Sequence, residues 1–254
     1  MVYIIIVIFV CIAIYFFYNN SKPQKIISIP KTWHNLLLKH VMFYSKLSPE
    51  EQLQFQENMR MFLMQTRIEA VGFKIEELDT VFVTASAVIP VFCFDDWEYT
   101  NLSTVLIYPD NFNANLEFEG EGRNIAGLVG TGRFDNQMIL SRKALHHGFS
   151  NKTDKGNTAI HEFIHLIDKL DGDVDGIPKI LLSNTYAIPW LNLVHEKMEA
   201  INNNTSDIRN YGGTNQQEFF AVASEYFFER PKLFRRKHPE LYKMMSDCFC
   251  KKAK

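Results

Sequence analysis

His161-Glu162-Phe163-Ile164-His165 is the stretch on which the reading of this chain turns. Two histidines four residues apart on a helix fall on one face, so both imidazoles can reach the same ion. Glu162 then stands beside that ion, placed to take a proton from a water at the site.

The flanking residues carry the marks of a helix. Asn157 and Thr158 supply N-cap chemistry, and Gly172 supplies a stop. Between them Ile160, Phe163, Ile164, Ile167 and Leu170 recur at helical spacing, without an intervening Pro or Gly. His161, His165 and Asp168 cut a polar stripe into this apolar segment. Buried polar groups are costly without partners, so the stripe requires either a shared metal ion or a hydrogen-bonded core network.

The H-E-x-x-H pattern is the one in which zinc peptidases hold their metal, and a catalytic zinc takes three protein ligands with one position left for water. The third ligand must come from elsewhere in the chain. Residues 215–228 read as a helix opened by Asn215 and ending near Arg230-Pro231, since proline cannot continue it. Glu218 and Glu225 lie seven apart and share a face of that helix. Asn215-x-x-Glu218 also has capping-box spacing, in which the carboxylate only serves a backbone N–H. Glu225 fits equally as a surface acid or as a partner behind a ligand, and spacing leaves these alternatives open.

A resemblance bears on them. The stretch from His161 to His165, the turns Gly172-Asp173 and Gly176-Ile177-Pro178, and Glu218-Phe219-Phe220-Ala221-Val222-x-Ser224-Glu225-Tyr226-Phe227-Phe228 resemble the Mlc titration factor A (MtfA) family. Leu106-Ile107-Tyr108-Pro109 and the run from Leu47-Ser48-Pro49-Glu50 to Gly72-Phe73 fit the same family. The similarity spans roughly Ile29 to Phe249. It implies a zinc-dependent peptidase with one zinc on His161, His165 and Glu218, with Glu162 as catalytic base and with Glu225 outside the ligand set. It also implies a zincin-like α+β domain and a peptide or protein substrate, with aminopeptidase action as one form of the activity. The family is named for binding a transcriptional repressor, so a regulator-sequestering adaptor is the rival function and a transcriptional regulator a possible partner.

Other residues have expected parts in that chemistry. Tyr211, before Gly212-Gly213, is a candidate donor to the tetrahedral oxygen from a mobile turn, or else packs beside the Glu218 helix. Asp168 and Glu225 are candidates to hold a ligand imidazole by its second nitrogen. His146 and His147 read as loop residues rather than ligands. A substrate strand is expected to pair with Arg123 to Gly130 or with Gln137 to Ser141.

The N-terminus departs from the family pattern. Val2 to Tyr18 is an almost unbroken apolar run, at the short end of a membrane-spanning helix. It lacks the leading basic residues and small-residue cleavage site of a signal peptide. Tyr15 and Tyr18 suit an interface, and Lys22, Lys25 and Lys31 follow the run, which by the positive-inside rule places the rest in the cytoplasm. The expected organisation is a membrane anchor over 1–20, a linker over 21–30 and a peptidase domain over 31–250.

Composition agrees with one such domain. Of 254 residues, 27 are Lys or Arg and 29 Asp or Glu, so the near-zero net charge of −2 provides no footprint for direct nucleic-acid binding. Cys11, Cys93, Cys248 and Cys250 are too scattered for a disulfide framework, and Cys248-x-Cys250 lacks the partner pair of a zinc knuckle. Lys31–Lys46 and Pro49–Glu69 read as helices, the second opened by Ser48, Pro49 and Glu51. Val81–Phe94 reads as a strand start turning into a helix, and Asn111–Gly122 as a surface loop. Thr104–Tyr108, Arg123–Gly130 and Gln137–Ser141 read as strands, with Thr131-Gly132-Arg133 at a bend.

Overall fold

The computed structural model describes residues 27–151, 153–181 and 187–250. Val2–Tyr18, residues 21–26 of the linker and the terminal Lys251, Lys252 and Lys254 lie outside them, and residues 27–30 carry no regular structure. Among the described residues no helix is long and apolar enough to cross a membrane.

Nine α-helices and four strands form an α+β domain among the described residues. The first half runs α1 (Thr32–His40), α2 (Pro49–Gln65), β1 (Arg67–Ala70), α3 (Glu77–Val88), β2 (Thr104–Tyr108), β3 (Gly127–Val129) and β4 (Gln137–Ser141). The second half is helical: α4 (Arg142–Ser150), α5 (Thr158–Asp168), α6 (Ala187–Asn202), α7 (Gln216–Glu229), α8 (Pro231–Lys237) and α9 (Pro239–Phe249). The sheet has the order β1-β2-β4-β3. β1, β2 and β4 are parallel, in the register Arg67↔Thr104 and Thr104↔Gln137, and β3 is antiparallel to β4 through Leu128↔Ile139.

Most elements follow their local chemistry. Ser48 and Glu51 form the capping box of α2, with Pro49 in its first turn. The expected helix stops short, however. α2 ends at Gln65, Thr66 is extended, and residues 67–70 become β1. No Gly or Pro marks that change; the parallel pairing with β2, a contact distant in sequence, decides it. Residues 81–88 contain no strand, because Glu76 and Asp79 form a capping box and begin α3. Every residue from Val81 to Val88 is buried, so the helix has no polar face to betray its period.

Further boundaries differ. The first expected helix breaks at Val41, with a short 3₁₀ turn at Tyr44–Lys46. Strand β3 keeps only three residues of the expected Arg123–Gly130, and the bend after it is a 3₁₀ turn, Gly132–Phe134. His146 and His147 lie on helix α4, not on a loop, and His146 Nε2 is 2.6 Å from the buried Asp79 carboxylate.

Helix α5 sits at the centre of the domain and packs on α3, α4, α7 and β3. Phe163, Ile164, Ile160 and Ile167 are wholly buried. The turn after α5 ties it to α7. A 3₁₀ turn, Lys169–Asp171, follows α5 and is closed by Gly172 with φ +99°, and Gly176 (φ +74°) donates its N–H to Asp168 Oδ2 at 2.9 Å. Trp190 Nε1 donates to the Gly176 carbonyl at 2.7 Å, and a Cβ at Gly176 would collide with the Gln216 backbone. Only glycine meets both conditions, the left-handed backbone and the close approach to the start of α7.

Candidate metal centre

Helix α5 is capped as its sequence requires: the Asn157 side chain accepts from Ile160 N at 3.2 Å. This fixes the phase at which His161 and His165 leave the helix. Across from them α7 begins with Asn215 Oδ1 accepting from Glu218 N at 2.9 Å. Only that half of the capping box is formed, because the Glu218 carboxylate turns toward the imidazoles instead.

The donor atoms converge. His161 Nε2 lies 3.0 Å from His165 Nε2 and 3.0 Å from Glu218 Oε2, and His165 Nε2 lies 3.5 Å from the same oxygen. Among the described residues this is the one group of three such ligand atoms within 4.8 Å of one another. Ligands at about 2.0–2.1 Å around a tetrahedral ion stand about 3.3 Å apart, so the triangle has the right size for zinc. The two Nε2 atoms stand 3.0 Å apart, close enough to share one ion when both present their lone pairs.

Charge points the same way. Burial opposes charge on His161, but the Glu218 and Glu225 carboxylates outweigh it and raise the imidazole to about 10. Burial pushes Glu218 up, yet His161 and His165 hold it well below the usual carboxylate range. With neutral imidazoles, Glu162, Glu218 and Glu225 carry three negative charges against one from Arg209, leaving two that a divalent ion neutralises.

The surroundings fix each group. His161 Nδ1 lies 2.8 Å from Glu225 Oε1, so this nitrogen donates and Nε2 presents its lone pair to the centre. Glu225 also accepts from Asn157 N at 2.5 Å and is bonded by Arg209. One carboxylate therefore holds both the imidazole and the N-cap of its helix. Nothing in the spacing of Arg209 announced this part; it becomes visible only when α7 packs on α5. Asp168 is buried and pushed up to about 6 by desolvation. Its hydrogen bond goes to the Gly176 turn, and its Oδ1 has no protein partner.

Glu162 is buried, and that burial raises its carboxyl above the ordinary range. It lies against β3: a Cβ on Gly127 would stand 2.6 Å from Glu162 Oε1 and 2.7 Å from Cγ. Gly127 thus makes the space that Glu162 occupies. Tyr211 lies on a 3₁₀ turn, Asn210–Gly213, with its ring 5.8 Å from that of His161 and the residue 52 % exposed. Burial and the Glu218 carboxylate push its hydroxyl up to about 12, so it keeps its proton at neutral pH. The glycines beside it are buried against α6 and α7, which supports the turn from beneath.

An α+β domain with a three-donor centre of this kind and a buried carboxylate beside it belongs to the metal-dependent hydrolase class. The chain is a member of the glucose-regulated metallo-peptidase M90 family, whose model matches residues 18–250. A Synechocystis protein described as uncharacterized is 28% identical over 233 residues, covering 87% of this chain and 84% of its own. Proteins named Mlc titration factor A are similar: that of Enterobacter sp. (strain 638) at 27% identity, covering 88% and 86% of the two chains, and that of Cronobacter sakazakii at 29%, covering 84% and 83%. The family resemblance seen in the motifs therefore holds, and membership assigns the chain to the metallopeptidases, with a metal cofactor.

Proposed function

We propose that this protein hydrolyses peptide bonds with a single zinc held by His161, His165 and Glu218, and with Glu162 as general base, in a zincin-like domain over residues 31–250. The convergence of His161 Nε2, His165 Nε2 and Glu218 Oε2 within 4.8 Å carries the reading. When bound, zinc supplies Lewis-acid polarisation of the scissile carbonyl and a lowered pKa for the attacking water.

The chain's own groups do the rest. Glu162, desolvated and with its carboxyl raised, accepts the proton of the attacking water and returns it to the leaving amine. Glu225 and Arg209 hold His161 in one tautomer. The Tyr211 hydroxyl donates toward the oxygen of the tetrahedral species. Of the two strands expected to receive a substrate, β4 lies between β2 and β3 and offers no edge. β3 ends the sheet next to Glu162, so an extended peptide paired with β3 passes the base.

Gly127→Ala tests that geometry. The added methyl displaces Glu162, and turnover should fall roughly 10²-fold with metal content unchanged. Unchanged turnover would separate β3 from the base.

The activity itself is tested with internally quenched peptides and aminoacyl anilides, which distinguish internal from N-terminal cleavage. A chelator should abolish cleavage and stoichiometric zinc should restore it; cleavage indifferent to both would rule the proposal out. The adaptor reading has less support, since sequestering a regulator requires neither the buried Glu162 nor the space Gly127 makes for it.

Val2–Tyr18 would act as a membrane anchor with the catalytic domain on the cytoplasmic side. In sealed inside-out vesicles, added protease should then digest the domain; full protection would reverse the orientation.

A further inference from the structure

Cys93 and Cys250 stand 157 positions apart in sequence, yet their Sγ atoms are 2.8 Å apart and both residues are exposed. Cys93 follows α3 and the short 3₁₀ turn Ile89–Val91, which packs on α5. Cys250 is the C-cap of α9, held by its N–H to Ser246 O at 2.9 Å. The cysteines thus bring the outer end of the last helix against a segment that supports the metal helix.

We infer that Cys93 and Cys250 form a reversible dithiol–disulfide site, oxidised by small uncharged disulfides. The two sulfur atoms open onto a cleft also lined by Phe92, Phe94 and Trp97 and by the acids Glu51, Asp95, Asp96 and Glu98. Among the described residues the charged side chains that line it are all acidic, which disfavours an anionic oxidant and admits a neutral one. Cys248, two residues from Cys250, is buried on α9 and so shielded from the oxidant.

In the first step one protein thiol, as its thiolate, attacks a sulfur of the small disulfide; that S–S bond breaks and a small thiolate leaves and takes up the proton. The second protein thiolate then attacks the protein-side sulfur of the mixed disulfide, releasing the second small thiol. Two protein thiols are oxidised, one small disulfide is reduced to two thiols, and the protein loses two hydrogen atoms. The neighbouring Cys93 thiol holds the Cys250 thiol above its ordinary range, so the exchange runs faster in mildly alkaline solution.

The bridge has a consequence for the metal centre. Phe249, next to Cys250, packs on Phe220, Phe227 and Phe228 of α7 at centroid distances of 5.9, 5.8 and 4.9 Å. Glu218 comes from the first turn of that helix. A bond from Cys250 to Cys93 closes a chain segment that contains His161, His165 and Glu218, and restrains it in the unfolded state.

The test uses the full chain with C11S, treated with 2-hydroxyethyl disulfide and analysed by intact mass, non-reducing peptide mapping and thermal unfolding. The expected product is a monomer lighter by two hydrogen atoms, with a Cys93–Cys250 cross-linked peptide. Its Tm should rise on the order of 10 °C, revert with reductant and stay unchanged in C93S and in C250S. Stable hydroxyethylthio adducts on both cysteines, disulfide-linked dimers, or a bridge through Cys248 would each overturn the inference.

Discussion

Glu162→Gln is expected to lower turnover by ~10²–10⁴-fold while the protein keeps its full complement of metal. The amide has the carboxylate's shape but cannot take a proton from water. Geometry makes this a clean experiment, because the side chain fits a space bounded by Gly127 and Gln keeps its shape. Stability should not suffer. Burial already raises the Glu162 carboxyl, so a neutral isostere removes a desolvation cost. We therefore expect an unchanged or slightly higher Tm for the metal-loaded variant. Activity within a few-fold of wild type would remove Glu162 from the mechanism.

Glu218→Ala should have the opposite signature, with metal lost first and activity lost with it. Removing one of three donors should weaken binding well beyond the ~10–100-fold that loss of an outer partner costs. A capping role for Glu218 predicts something else: about 1 kcal/mol of stability lost and metal retained. The two are separable because Asn215 Oδ1 caps Glu218 N through the backbone, which the substitution leaves in place. Equilibrium dialysis against zinc buffers, together with unfolding of the metal-free variant, reads both. Wild-type zinc affinity in Glu218→Ala would dismantle the proposed centre.

Much of this site was legible in the sequence because its geometry is local. Asn157 and the apolar spacing define α5, with Gly172 ending the 3₁₀ turn after it, and a separation of four residues on a helix brings His161 and His165 together without reference to the rest of the fold. Glu218 was harder. Its spacing from Asn215 permits a capping box, and only the packing of α7 on α5 shows the carboxylate facing imidazoles rather than its own backbone. Arg209 and Gly127 could not be read at all, since their importance lies in contacts with Glu225 and Glu162 made across the fold.

The strands divide along the same line. Thr104–Tyr108 and Gln137–Ser141 are short apolar runs and form where their composition places them. β1 carries no such mark and exists because β2 pairs with it. α3 was obscured for a different reason: from Val81 to Val88 it is buried on every side and shows neither period. That burial comes from packing against α2, α4 and α5.

The central claim is that one metal ion joins α5 to α7 through three side chains. Anomalous diffraction at the zinc absorption edge, from crystals of protein purified without added metal and active on peptides, tests it most directly. The account predicts a single strong peak between His161 Nε2, His165 Nε2 and Glu218 Oε2, at about 2.0–2.2 Å from each. A peak bound elsewhere, or no peak in protein that still cleaves peptides, would contradict it.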